Sequence, residues 1–481
     1  MGRLLNFVLT PLLVRKFPAA VYGVFTNLYA WAAITNAILA FGMETTFFRY
    51  LQKHENKKEK VYSNTFFVIL CLTVIFVTAT VLFADDIATW ILAGADPVNT
   101  IKYIHYFVFI LAADAMAVIP FAQIRASERP LRYGLIKVFN ILIFVSFTIF
   151  FIFFIPVIIE KNLPGAAWMQ SWYQPGWIGY VFVANLIASL ITLIILLPEF
   201  LALRLQVDLS LIKEMFWYSF PILIANISFI INEKLDIIFL GKLLPEEVSK
   251  TDLGAYGAAT KVAIFLSIFV QAFRLGAEPF FFSQAKKMNA GKTYALVMDY
   301  FVISMSLIMV GLVVNIEILK YFIEGGNAIE RATYWSALPV VPVLLLGYVF
   351  LGIYMSLSIW YKLSDQTRYG LYISGVGAFF TIVMNIIFIP HYSYIASAWI
   401  TMGAYGIMMI LSFLLGQRNY PIPYHVIKNV GYIFAAVCIS WLSFSIFNRD
   451  LIIGNSLFVL FLIVSYLIEG KQLKEIIVRK E

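Results

Sequence analysis

Charge is what this chain lacks most. Only 13% of its 481 residues are Asp, Glu, Lys or Arg, while 62% are hydrophobic. A soluble domain carries about a quarter charged residues, so a water-facing globule of this size is excluded. Cysteine is nearly absent: Cys71 and Cys438 both sit inside apolar runs, which rules out a disulfide framework or a CxxC metal site. His54, His105, His391 and His425 are far apart and lack metal-ligand spacing, so no metal is expected. A GxxxxGK[ST] phosphate loop is missing, which removes ATP as a direct energy source. The net charge of +8 does not point to nucleic acid, because the basic residues are scattered over short connections.

What fills the chain is apolar sequence. Runs of about eighteen residues or more, long enough to cross a bilayer core of about 30 Å, recur from end to end. They predict an all-α polytopic membrane protein of about fourteen spans. The first seven are Met1–Val14, Tyr22–Phe48, Val61–Phe83, Ile101–Gln123, Gly134–Ile158, Trp177–Pro198 and Met215–Leu240. The rest are Ala255–Phe282, Tyr294–Leu319, Ala337–Trp360, Gly370–Pro390, Tyr394–Leu415, Val430–Phe447 and Leu451–Ile468. Met1–Val14 is only about 21 Å of helix, too short to span unaided, and the expectation is a start clipped from a longer first span. Aromatic residues make up 17%, with Trp and Tyr gathered near run ends, as in WYKLS and SWYQPGW, where interfacial belts form. Connections after even-numbered spans are basic (KHENKKEK, RASERPLR, AKKMNAGK, YKLSDQTR, KQLKEIIVRK); those after odd-numbered ones are mixed or acidic (ADDIATWILAGADP, LLPEEVSKTD). The positive-inside rule then places the even connections and the C-terminus in the cytoplasm.

The chain repeats itself. Val21–Phe48 lies without gaps on Ala255–Phe282: Tyr22, Gly23, Thr26, Ile34, Gly42, Glu44, Phe47 and Phe48 meet Tyr256, Gly257, Thr260, Ile268, Gly276, Glu278, Phe281 and Phe282, at an offset of 234. RYGL at Arg132–Leu135 and again at Arg368–Leu371 gives a second anchor at nearly the same offset, 236. The repeating unit is six spans, an even number, so both copies enter the membrane the same way up. That describes a parallel repeat about an axis along the membrane normal, with a site expected at the repeat interface. The expected organisation is an N-terminal lobe at 1–206, a C-terminal lobe at 207–420, and the last two spans with a tail at 421–481.

Ionisable residues inside spans cost roughly 2.5–3.5 kcal/mol each even on a lenient scale, and are functional candidates for that reason. Glu44 and Glu278 are repeat equivalents, and such paired carboxylates suit a gate or a cation-coupled switch. Against this, Arg274 and Glu278 are spaced i,i+4 and could merely neutralise each other. Span 7 carries NEKLD, with Glu233, Lys234 and Asp236, where Lys234 has two neighbouring acids to pair with. Asp114 lies in mid-span without a sequence neighbour of opposite sign, which points to a cavity or ion site rather than lipid. Lys137 and Asp299 lie just inside the membrane from basic connections and read as interfacial. Pro120, Pro221 and Pro279 would break or kink their helices.

The segments GRLLNFVLTPLLVRKFPAAVYGVFTNLYAW, GMETTFFRY, INEKLDIIFLGKLLP, LGAYGAATKVA, QAFRLGAEPFFF and YMSLSIWYKLSDQTRYGLYIS resemble those of the bacterial oligosaccharide flippases. That family is the polysaccharide-export branch of a superfamily that also holds lipid II flippases and multidrug and toxin extrusion transporters. The resemblance covers nearly the whole chain, and its motifs are specific to the branch but not to one saccharide. It implies two six-helix lobes around a central cavity, opening alternately to either side, with two extra C-terminal helices. The implied cargo is a saccharide, such as an O-antigen or capsule repeat, on an undecaprenyl diphosphate carrier in the bacterial inner membrane. A diphosphate needs cationic partners, and Arg274, Lys234, Lys261 and Arg49 are the candidates, Arg274 foremost because guanidinium forks onto phosphate oxygens. Asn27 is a candidate for sugar hydroxyls. Coupling or gating falls to Glu278, Glu44, Asp236, Glu233 and Asp114, with H+ or Na+ as the ion and no cofactor. Implied partners are the lipid-linked oligosaccharide, membrane lipid and a polysaccharide polymerase, with a monomer as the working form and no nucleic acid. The alternative is a cation-coupled multidrug antiporter of the same architecture. An enzyme of glycan assembly is disfavoured, since the connections are short and no nucleophile, histidine and carboxylate gather on one side.

Overall fold

The computed structural model describes residues 2–91, 97–204, 206–285, 287–364 and 366–478. Among them every regular element is helical. In chain order the first helices are α1 (Gly2–Lys16), α2 (Ala19–Ala40), α3 (Met43–Lys53), α4 (Lys58–Leu82), α5 (Ala84–Ile91), α6 (Pro97–Ala126) and α7 (Pro130–Ile149). A π-helical turn at Phe150–Phe154 leads to α8 (Ile155–Glu160), followed by α9 (Ala166–Gln170), α10 (Gly179–Ile195), α11 (Leu197–Leu201) and α12 (Leu209–Leu243). Next come α13 (Glu246–Gln284), α14 (Ala290–Val314), α15 (Ile316–Leu319), α16 (Ala328–Trp335), α17 (Val340–Leu357) and α18 (Ile359–Leu363). The chain closes with α19 (Arg368–Asn419), α20 (Val426–Trp441) and α21 (Leu451–Val478).

Ten helical segments among the described residues are long and apolar enough to cross a membrane. One of them, α19, is two helices joined at Ser393, whose φ of 49° is not helical. With α1, α10 and α12 these supply the expected set of about fourteen. Ile75, Leu82, Leu135 and Ile194 are each more than 60% exposed. Such surface is a liability in water and the proper outer face of a helix in lipid, where every backbone polar group is satisfied within the helix.

The chain groups into two compact units, Met1–Gly254 and Ala255–Glu481. The sequence repeat divides the chain at 206/207; the compact units divide later because α12 packs against α2, α3 and α4. The second unit includes α20 and α21, which pack on α14. Buried Tyr22, Phe47, Phe144 and Phe182 lie in the core of the first unit, and Tyr256, Tyr294, Tyr334, Tyr405 and Trp360 in that of the second.

Helix ends follow local chemistry. Asp208 caps α12, accepting from the backbone N–H of Ser210 and Leu211 and so satisfying two of its orphan donors. The α2–α3 corner is made by Phe41 and Gly42, both left-handed, at φ 46° and 68°. Proline alone does not set the breaks: α6 runs through Pro120 and α12 through Pro221, whereas in α19 the break at Ser393 follows Pro390 by three residues.

Candidate functional site

In the second unit, α13 places Arg274, Ala277, Glu278 and Phe281 along one helical stripe. They line an open pocket with Phe273 of the same helix, Met355 and Ser356 of α17, Ser358, and Ile359 and Lys362 of α18. Lys362 Nζ donates to Glu278 Oε1 at 2.7 Å. The expected i,i+4 neutralisation of Arg274 by Glu278 therefore does not form, because the glutamate is taken by a lysine from another helix. Arg274 is exposed and has no ion-pair partner among the described residues. The pocket thus holds one neutralised acid–base pair plus one spare guanidinium, an arrangement suited to a multivalent anion.

The first unit repeats half of this arrangement. Glu44, in the first turn of α3, is ion-paired with Arg125 in the last turn of α6. Arg125 also lies 5.2 Å from the ring centroids of both Phe48 and Tyr133. In each unit, then, the repeat-equivalent glutamate meets a base from the end of that copy's fourth span. The match stops there: the position equivalent to Arg274 is Ala40. Only the second unit has the extra cation.

The other expected site residues are dispersed. Asp114 accepts from Ser189 Oγ at 2.9 Å and is exposed. Nearby, Asn185 donates to the Tyr29 hydroxyl at 2.8 Å, and Asn140 to Thr192 at 2.9 Å. Lys137 is not simply interfacial, since its ammonium lies 3.9 Å from the Phe121 ring centroid. Asn27 is buried, with its Oδ1 unpartnered, and packs against the backbone at Gly241, as a helix-joining residue does. Lys234 is half-buried. Asp236 is buried, its Oδ1 accepting from Ile237 N at 2.8 Å, while Glu233 is half-buried. Lys261 is half-buried on α13, and Arg49 is exposed on α3. Among the described residues no cluster of three or more His, Cys, Asp or Glu could hold a metal ion.

Two polar clusters escaped the sequence reading. Asp299 is wholly buried rather than interfacial. It meets His425 Nδ1 at 2.7 Å, accepts from Asn429 at 3.0 Å, and lies 3.6 Å from Lys428 Nζ. Lys428 also bonds buried Glu469 at 2.7 Å, so one lysine of α20 ties α14 to α21. The other cluster fixes the segment before α12: Lys60 pairs with Asp208 at 2.6 Å, Lys53 pairs with Glu214, and Arg132 pairs with Glu199 at 2.9 Å. Asn64 donates to Gln206 O at 2.8 Å and accepts from Asp208 N at 2.7 Å. The Lys60 partner and the cap hold the Asp208 carboxyl well below the usual aspartate range, and Lys53 lowers Glu214. Spacing along the chain gives no sign of these pairs, because the partners lie up to 161 residues apart.

A helical membrane fold with two repeat-related acid–base pairs defines the class, and comparison with solved structures supplies its members. The chain has a TM-score of 0.75 to the lipid II flippase MurJ in an inward closed conformation, at 13% identity over 98% of each chain. It has 0.68 to an inward-facing multidrug resistance MATE family transporter of the MOP superfamily, at 12% identity over 87% of this chain and 94% of that one. A Vibrio cholerae MATE transporter, VcmN, gives 0.61 at 14% identity over 90% and 95%. The fold is therefore that of the MOP-superfamily transporters. Residues 1–282 match the family model described as polysaccharide biosynthesis protein, and the chain belongs to that family. A MatE model matches residues 221–387. No curated protein matches the chain.

Proposed function

We propose that the chain flips an undecaprenyl-diphosphate-linked oligosaccharide, such as an O-antigen or capsule repeat, across the bacterial inner membrane by alternating access. The observation that carries this reading is Arg274, a guanidinium without a partner beside the Glu278–Lys362 pair. A diphosphate oxygen placed there gains a charge-assisted hydrogen bond without breaking an existing pair. Membership of a polysaccharide biosynthesis family supports the saccharide cargo. Arg49, Lys234 and Lys261 are secondary cationic contacts, and Asn27 serves packing. Glu278, Glu44, Asp236, Glu233 and Asp114 carry coupling or gating by H+ or Na+, with basic connections and the C-terminus on the cytoplasmic side. The protein acts as a monomer and delivers to a polysaccharide polymerase.

The test is reconstitution into liposomes with a fluorescent undecaprenyl-diphosphate-linked saccharide, following its appearance in the opposite leaflet. Losing a hydrogen bond to a charged group costs about 1.5–3 kcal/mol, so Arg274→Ala should weaken cargo binding roughly 10- to 150-fold. Arg274→Lys keeps the charge and should retain part of the affinity. Wild-type flux from Arg274→Ala would remove this site. The MatE match favours a second reading, a cation-coupled multidrug antiporter. Flux of ethidium down an imposed ion gradient, with none of the lipid-linked sugar, would establish that reading instead.

A further inference from the structure

The connection between α8 and α10 differs in composition from α5 and α16, which follow other odd-numbered spans. After Lys161, which opens it, residues 162–178 contain no Asp, Glu, Lys, Arg or His. By contrast α5 carries Asp85 and Asp86, and α16 carries Glu330 and Arg331. A stretch of this length without charge is better suited to an interface than to open water. Its inner face is an aromatic interlock: Tyr173 stacks on Tyr180 at 5.0 Å and 7°, Gln174 N donates to the Tyr180 hydroxyl at 2.8 Å, and Trp177 Nε1 donates to Asn99 at 3.1 Å. Its outer face presents Leu163, Trp168 and Trp172, with Trp168 67% exposed and packed edge-on against Trp172 at 5.5 Å. In sequence it follows exposed Phe150, Phe154 and Val157 of the preceding helical segment, with the exposed residues Glu160 and Lys161 between.

We infer that 162–178 is a rigid apron lying in the headgroup layer of the non-cytoplasmic leaflet, with Trp168 and Trp172 as its lipid contacts. Indoles favour that depth because the ring is apolar and the N–H is a donor, and the missing charge lets the backbone turn settle there. The test uses Trp168→Cys and Trp172→Cys, each spin-labelled in a Cys71→Ser/Cys438→Ser background, in phosphatidylethanolamine–phosphatidylglycerol nanodiscs. Power saturation compares collisions with oxygen and with a water-soluble nickel chelate, using Asp86→Cys as the aqueous reference. Labels at 168 and 172 should favour oxygen strongly over the reference. Nickel accessibility equal to that at 86 would overturn the inference. So would a spectral change on adding soluble oligosaccharide, which would make the pair a sugar platform.

The two copies of the repeat also differ in one backbone feature, and this carries a separate inference. In FGMETTFF the helix breaks at Phe41 and Gly42; in the equivalent LGAEPFFF, α13 runs unbroken from Glu246 to Gln284. Glycine inside a helix costs about 0.5–1 kcal/mol relative to alanine. A Cβ on Gly276 would meet nothing within 4 Å, so close packing does not account for the residue. We infer that α13 has a second state, broken at Gly276 as α2–α3 is at Gly42, which would swing Glu278 and its pocket. Nitroxides at Phe269→Cys and Phe282→Cys, both exposed positions, lie about 20 Å apart along an unbroken helix. In the same cysteine-free nanodiscs, with and without undecaprenyl diphosphate, pulsed dipolar spectroscopy should show a second distance that Gly276→Ala abolishes. One distance in every sample would overturn the inference, whatever the protein transports.

Discussion

At the scale of single residues, the candidate site was legible as a list but not as a set of partners. Glu44 and Glu278 stand out in the sequence because one repeat aligns them. Their partners Arg125 and Lys362 do not, since the contacts cross 81 and 84 residues. The same holds for Asp208. Its place just before the largely apolar run that opens at Leu209 is a readable cap, whereas its pairing with Lys60 at 2.6 Å is a matter of folding. This pair has a pH signature. The folded carboxyl is held below its ordinary value, first by the Lys60 hydrogen bond, and an unfolded aspartate titrates near 3.9. The contribution is therefore complete above about pH 5 and is lost as pH falls from about 4 towards the depressed folded value. Asp208→Asn keeps a cap acceptor but cannot titrate or form the ion pair. The melting-temperature gap between wild type and Asp208→Asn should stay constant from pH 8 to 5 and shrink below pH 4. A gap that is flat down to pH 2 would contradict the assignment.

At the scale of helices, sequence reading placed most spans well, because long apolar runs have few alternatives in lipid. It missed one break and placed another. Proline was the expected breaker, yet α6 and α12 pass through Pro120 and Pro221, and the interruption at Phe41–Gly42 falls inside the expected span Tyr22–Phe48. The one at Ser393 falls between the expected spans Gly370–Pro390 and Tyr394–Leu415, three residues after Pro390. A proline in a helix costs hydrogen bonds that neighbouring groups can restore in a bundle, whereas a left-handed residue changes the chain direction outright. Close helix approach was equally hidden. A Cβ on Gly254 would lie 1.9 Å from Ala19 O, and one on Gly23 would lie 2.1 Å from Lys250 O. These backbones touch because neither glycine carries a side chain, the small-residue contact typical of membrane helices. Gly254→Ala should force the start of α13 off α2 at a cost of about 1–3 kcal/mol. Gly134→Ala, in open space on α7, should be neutral or stabilising by up to about 1 kcal/mol. Thermal unfolding in detergent checks the pair, and equal melting temperatures would refute the contact.

At the scale of the whole chain, the parallel repeat and the two appended spans were both visible as sequence, yet the compact units do not follow the repeat boundary. The reason is that units form by burial, and burial ignores ancestry. Helix α12 opens the second copy but packs on α2, and α20 and α21 belong to neither copy but close on α14. That closure is electrostatic as well as apolar: Asp299 has no exposure, and among the described residues its side-chain partners His425, Lys428 and Asn429 all come from the appended part. Removing one partner of a buried charge pair typically costs about 3–5 kcal/mol, because the other charge stays behind in low dielectric. Truncation after Tyr420 should therefore do more than trim a tail. It should leave Asp299 without any of these partners on the uncovered face of α14, and lower the melting temperature of the remaining chain sharply. Lys428→Met in the full chain removes the cation that Asp299 and Glu469 share, leaving them only His425 with Asn429 and Tyr432 respectively, and should destabilise in the same direction. Adding Asp299→Asn to the truncated chain should recover part of the loss, since a neutral amide needs no counter-charge. A truncated chain as stable as the full one, or a double variant with no recovery, would mean that the Asp299 contacts add nothing to the hold of the last two helices on α14.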